Sequence, residues 1–153
     1  MRAHQRWRWA SLSASLWWGS LSALCAVVVP LLFLHLPSAS IAGSMAARLF
    51  TAQTWIAVSC GLVILMAFNR VEDDQVQAEG RVLMRWVIAG ILSALLIEWA
   101  LAPRILAARG DAQALRLWHA LGTFLMLVQW LCASATLWRL ARHPVDGQGR
   151  QPH

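Results

Sequence analysis

The sequence predicts an all-α integral membrane protein, a bundle of four transmembrane helices. The first observation is composition, because 59% of the 153 residues are apolar and only 13% are charged. Soluble domains are about 45–50% apolar and about 25% charged. The second observation is that the apolar residues gather into four runs, each near the roughly 20-residue length of a membrane span. Backbone that faces lipid has to satisfy its own hydrogen bonds, so each run is predicted to be helical.

The predicted spans cover about residues 11–34, 46–68, 84–101 and 115–138. Their connections are too short to fold as separate soluble units. We therefore expect one domain over residues 1–153, and no internal repeat is apparent in the sequence. The first two apolar runs carry no charge, whereas the third contains Glu98 and the fourth contains His119.

The arginine distribution predicts the orientation of the chain. All 13 basic residues are arginine, and cytoplasmic connections of membrane proteins are enriched in such residues. An inner N-terminus and an inner C-terminus place nine arginines inside and four outside. The inner set is Arg2, Arg6, Arg8, Arg70, Arg81, Arg85, Arg139, Arg142 and Arg150, and the outer set is Arg48, Arg104, Arg109 and Arg116.

The partners predicted from this charge are lipids. The net charge is +6, but the arginines flank the apolar runs, which favours anionic lipid headgroups at the inner boundary. Nucleic-acid-binding motifs are missing, so DNA and RNA are not expected. A homo-oligomer or a membrane partner protein stays open.

No bound cofactor is predicted, and the cysteines add no sign of one. Cys25, Cys60 and Cys132 lie singly inside apolar runs. Without a CxxC pair or an even count, they suggest neither a disulfide framework nor a zinc site.

Small residues indicate where the helices approach one another. Gly90, Ala94 and Glu98 recur every four residues and predict one packing face on the third span. A similar face is predicted on the first span from Ser15 and Gly19, followed by Ser22 or Ala23. Pro30 is expected to kink the first span, and Asp111 is expected to cap the fourth helix.

Two stretches resemble a known family of bacterial membrane proteins. They are "LWWGSLSALCAVVVPLLFLHLPSASIAGSMAARLFTAQTWI" and "APRILAARGDAQALRLWHALG". The chain resembles domain of unknown function family 4149, related to the transmembrane protein 205-like group, over roughly Leu16 to Leu137. The resemblance implies a four-span inner-membrane protein and no particular activity. Its residues are Trp18, Gly19, Pro30, Leu32, Phe33, Ala42, Gly43, Leu49, Phe50, Pro103, Arg109 and His119.

One group of polar residues is a candidate functional site. Ionisable residues inside a membrane are costly to bury and therefore mark functional sites. In the predicted topology Glu98, His119, Arg48 and Gln53 share the outer half of the membrane. The alternative is structural, with an Arg48–Glu98 ion pair that fixes helix register and a His119 side chain that reaches the interface.

The function predicted from these residues is that of a non-enzymatic membrane protein. It would handle a small solute or a metal ion, or serve as an accessory factor. The alternative is a redox bundle in which His119 holds haem or copper, although His35 is the only second histidine near its depth. A hydrolase built on Glu98 and His119 is the third interpretation, but no activated nucleophile or zinc motif accompanies them.

Overall fold

Described residues of the protein are almost entirely helical. The computed structural model describes the backbone of residues 3–68 and 74–142, and the side chains of residues 5–68, 80–108 and 110–142. No strand occurs in these ranges. The α-helices are α1 (Ala3–Ala23), α2 (Val29–His35), α3 (Ala39–Phe68), α4 (Asp74–Leu96), α5 (Ala102–Ala107) and α6 (Ala112–Arg142), with π-helical turns at Leu24–Val28 and Ile97–Leu101 and a 3₁₀ turn at Ala108–Gly110.

Four helical stretches are long and apolar enough to cross a membrane. They are span 1 (Gln5–His35), span 2 (Ala39–Phe68), span 3 (Gly80–Ala107) and span 4 (Ala112–Arg142). The all-α class and the four spans predicted from the sequence are therefore confirmed. The orientation of the termini stays a prediction. We call the end with the 35–39 and 107–112 turns the hairpin end, and the opposite end the terminal end.

Asp111 caps the N-terminus of span 4 and so sets where its helix starts. The Asp111 Oδ1 atom accepts hydrogen bonds from the backbone N–H groups of Gln113 at 2.9 Å and Ala114 at 3.2 Å. A side-chain acceptor at this position satisfies N–H groups that have no partner within the helix. The N-cap predicted for Asp111 is confirmed, and it starts the helix before the apolar run begins.

The spans pack in a ring, each against the next and span 4 against span 1. Span 3 uses its predicted face, since Gly90 and Ala94 are buried. A methyl group added at Gly90 would lie 2.5 Å from Trp17 Cη2 and 3.1 Å from Cys132 Cβ. Glycine at this position lets the Trp17 ring of span 1 reach the backbone of span 3.

The predicted small-residue face of span 1 is wrong at Ser15 and Gly19, whereas Ser22 does contact a neighbouring span, since its Oγ atom accepts a hydrogen bond from Trp130 Nε1 of span 4 at 2.9 Å. Ser15 is exposed, and the space beside Gly19 is open to at least 4 Å. Span 1 instead buries a face that includes Ala14, Trp17 and Leu21. The ring of Trp17 fills the centre of the bundle, so the large residue decides which face turns inward.

The described helices repeat with an offset of 73 residues, although no repeat is apparent in the sequence. The π-helical turns start at Leu24 and Ile97, prolines follow at Pro30 and Pro103, and the next spans begin at Ala39 and Ala112. Few residues at this offset are identical. The repeat lies in backbone geometry and packing, which residue identity does not reveal.

Side-chain packing follows the same offset. Trp18 of span 1 donates a hydrogen bond to Ser134 of span 4 at 2.9 Å. The equivalent positions in spans 3 and 2 are Ile91 and Gly61, which are also in contact. Trp17 and Gly90 are themselves equivalent and touch each other across the bundle. Such a pattern is that of two helical hairpins related by an approximate two-fold rotation.

Candidate functional site

Glu98 lies half-buried in the π-helical turn of span 3, in the half of the bundle near the hairpin end. Its Oε1 atom accepts a hydrogen bond from the Thr51 hydroxyl of span 2 at 2.9 Å. No arginine or histidine forms an ion pair with Glu98 in the described ranges. The carboxylate is thus held by one neutral donor.

The backbone around Glu98 leaves a second oxygen without its usual partner. In an α-helix the Glu98 carbonyl would accept from the Ala102 N–H, but that N–H donates to the Ile97 carbonyl. The next residue, Pro103, has no N–H to offer. Neither the α-helical nor the π-helical donor is therefore available to the Glu98 carbonyl. π-helical turns occur frequently at functional sites.

The equivalent turn in span 1 has the same backbone but different chemistry. The Val29 N–H donates to the Leu24 carbonyl, and Pro30 follows it. Cys25 stands where Glu98 stands in span 3. The two turns therefore share one architecture, and of the two only the turn in span 3 carries a carboxylate.

The other residues of the predicted polar group have separate partners. Gln53 is buried and donates to Ser20 Oγ at 3.1 Å. His119 is exposed and donates from Nδ1 to the Leu115 carbonyl at 2.9 Å, and Arg48 is exposed. In residues with described side chains, no hydrogen bond or ion pair joins any two of Glu98, His119, Arg48 and Gln53.

Sequence reasoning missed Thr51. A threonine in a helix commonly bonds to the carbonyl four residues earlier, and the Thr51 hydroxyl also lies 3.2 Å from the Ala47 carbonyl. The one available signal was its position three residues after Arg48, in the span that precedes Glu98. That signal does not distinguish an inward threonine from one facing lipid.

The His, Cys, Asp and Glu side chains of the described residues do not cluster. No group of three His, Cys, Asp or Glu side chains there is close enough to share a metal ion. His35 donates to the Leu31 carbonyl at 3.1 Å, and its helix α2 packs against α3. The role of His119 as a metal ligand stays a prediction.

The residues that carry the resemblance have mixed surroundings. Pro30 and Pro103 occupy the same place after the two π-helical turns. Gly19 and Gly43 have open space beside them, Phe33 is exposed and Phe50 is half-buried. The Arg109 side chain lies outside the described residues.

The family model described as "Domain of unknown function (DUF4149)" matches residues 12–114. Glu98, Thr51 and both prolines lie inside the matched stretch, and His119 lies beyond it. Comparisons with curated proteins and with solved structures find no match. The relation to the transmembrane protein 205-like group stays a prediction.

Proposed function

The chain belongs to the family described as Domain of unknown function (DUF4149), and on that premise we propose that it is a non-enzymatic membrane protein that binds a small monovalent cation at Glu98. Support comes above all from a carboxylate placed inside a spanning helix without a basic partner in the described ranges. A charge at that depth is costly unless something pairs with it. A cation from solution would meet this requirement.

The oxygens near Glu98 favour a hard cation. The site offers the carboxylate, the Thr51 hydroxyl and the Glu98 carbonyl that lacks a backbone donor. Hard cations prefer oxygen ligands, and carbonyls released where a spanning helix is broken coordinate sodium ions in transporters. One carboxylate balances one positive charge, so the favoured ligands are Na⁺ or a small ammonium ion.

The remaining parts of the proposal concern location. The protein is a multi-pass membrane protein, and we propose that it lies in a bacterial inner membrane with both termini inside. The cation site then faces the outer half of the membrane. Anionic lipid headgroups are proposed to contact arginines of the terminal end.

The test compares cations at constant ionic strength. Purified protein in detergent is unfolded by heat in choline chloride, in NaCl and in methylammonium chloride. A cation at about 100 times its Kd stabilises the folded state by about 2.7 kcal/mol, so the melting temperature should rise in NaCl or methylammonium chloride. Glu98→Gln should abolish the rise.

Asp111→Asn is the matched control. Asp111 is an exposed carboxylate at the hairpin end, and asparagine preserves its cap. This variant should keep the full rise. If Glu98→Gln keeps the rise as well, or if wild-type protein melts at one temperature in all three salts, Glu98 is a structural residue that joins spans 2 and 3.

A further inference from the structure

A cavity of about 540 Å³ opens at the terminal end, far from Glu98. All four spans contribute side chains to it. Four aromatic side chains and two arginines line it together with small and aliphatic residues; the aromatic and charged ones are Trp7, Phe68, Trp86, Trp138, Arg139 and Arg142.

The aromatic residues of the cavity pack against one another and against an arginine. Trp7 and Phe68 meet edge to face, with ring centroids 4.9 Å apart. The Arg142 guanidinium stands 4.6 Å above the ring of Trp138. Stacking on an aromatic face holds an arginine in place, so a positive group is fixed directly beside these aromatic residues.

Both arginines of the cavity, Arg139 and Arg142, are exposed. Neither Arg139 nor Arg142 has a carboxylate partner within the described ranges. The sequence between spans 2 and 3 adds the carboxylates Glu72, Asp73, Asp74 and Glu79, so uniform attraction of anions to this end is not expected. Recognition then depends on Arg142, which stacks on Trp138, and on the neighbouring Arg139.

We infer that this cavity binds the headgroup of one anionic phospholipid. The phosphate lies against Arg139 and Arg142, and the glycerol and upper acyl region lie against Trp138 and Trp86. Basic pockets between helix ends bind such headgroups, and arginine pairs with phosphate through two parallel hydrogen bonds. The inference deepens the proposed lipid contact at this end and is independent of the Glu98 site.

The experiment counts lipids retained by the full chain in native mass spectrometry. Phosphatidylglycerol and phosphatidylcholine with the same acyl chains are added separately. Wild-type protein should retain one phosphatidylglycerol with about tenfold higher affinity than phosphatidylcholine, as expected for charge-assisted contacts. The double variant Arg139→Gln/Arg142→Gln should lose this preference.

Arg104→Gln/Arg116→Gln is the matched control, because Arg104 stacks on Trp118 at 5.2 Å in the same manner but near the hairpin end. It should keep the preference. Arg139→Lys/Arg142→Lys retains the charge and should keep part of the preference for phosphatidylglycerol. This variant therefore distinguishes the loss of charge from a folding defect. Equal retention of both lipids by wild-type protein overturns the inference. Displacement of the lipid by millimolar inorganic phosphate would instead assign the cavity to free anions.

Discussion

The contact between Glu98 and Thr51 sets the chemistry of the candidate site at the scale of single residues. The Thr51 hydroxyl donates a hydrogen bond to Glu98 Oε1 within the helix bundle, and hydrogen bonds are stronger when the acceptor is a charged carboxylate. Hydrogen bonds to charged groups contribute about 1.5–3 kcal/mol. The contact also joins spans 2 and 3, so it has both a structural and an electrostatic effect.

Thr51→Val should therefore lower the free energy of unfolding by about 1.5–3 kcal/mol. Thr51→Ser retains the hydroxyl and should keep most of this stabilisation. The hydroxyl matters because it pairs with a charge, so the same change in a Glu98→Gln background should cost less. Reversible unfolding in mixed detergent measures all four variants. Equal costs in the two backgrounds would mean that Thr51 bonds only to the Ala47 carbonyl.

Gly90 shows how a single glycine decides packing. An added methyl group would overlap the Trp17 ring, and overpacked cores lose about 1–3 kcal/mol. Gly90→Ala should be destabilising by this amount, and Trp17→Phe should relieve part of the cost by removing the overlapping ring atoms.

Gly19→Ala is the control for Gly90→Ala. Gly19 also lies within a spanning helix but has open space beside it, so alanine there should be neutral or mildly stabilising, as helix propensity predicts. Melting temperatures of the two variants give the comparison. Equal effects at both positions would show that Trp17 does not fill the space over Gly90.

At the scale of elements, the two π-helical turns share one backbone architecture but carry different side chains at the equivalent position. Each is followed by a proline that leaves one carbonyl without a donor. In span 3 that carbonyl belongs to Glu98, and in span 1 it belongs to Cys25. Of these two carbonyls, only that of Glu98 has a carboxylate beside it.

Pro103→Ala should reduce the cation-dependent rise in melting temperature, because alanine supplies an N–H to the Glu98 carbonyl. Pro30→Ala makes the same change in the equivalent turn and should leave the rise intact. Thermal unfolding in NaCl and in choline chloride distinguishes the two variants. A similar loss in both would mean that bundle rigidity, rather than the Glu98 carbonyl, controls the cation effect.

At the scale of the whole molecule, the described residues form two hairpins, with both tips at one end and with Ala3 and Arg142 at the other. The predicted orientation places the tips outside the cell membrane. Reporter fusions at Pro37 and Gly110 should give the same periplasmic signal, and fusions at Gln75 and the C-terminus the cytoplasmic one. A periplasmic signal at Gln75 would reverse the orientation and leave the fold intact.

Much of the fold could be predicted from the sequence, because hydropathy, the Asp111 cap and the spacing of Gly90 and Ala94 act locally along a helix. The internal repeat could not, since Trp17 and Gly90 occupy equivalent positions with opposite sizes. The site was predicted only in part. Glu98 follows from the cost of burying charge, but its partner Thr51 depends on helix rotation, which an apolar sequence leaves undetermined.

The most direct measurement of the central claim, that Glu98 binds a monovalent cation, is the infrared difference spectrum of the protein on exchange of choline for Na⁺ or methylammonium. Direct contact with a cation should shift the carboxylate stretching bands, and the shift should vanish in Glu98→Gln and persist in Asp111→Asn. Spectra without a carboxylate change would contradict the claim. So would a protonated carboxylic acid band that the cations leave unaltered, because Glu98 would then hold a proton in place of a cation.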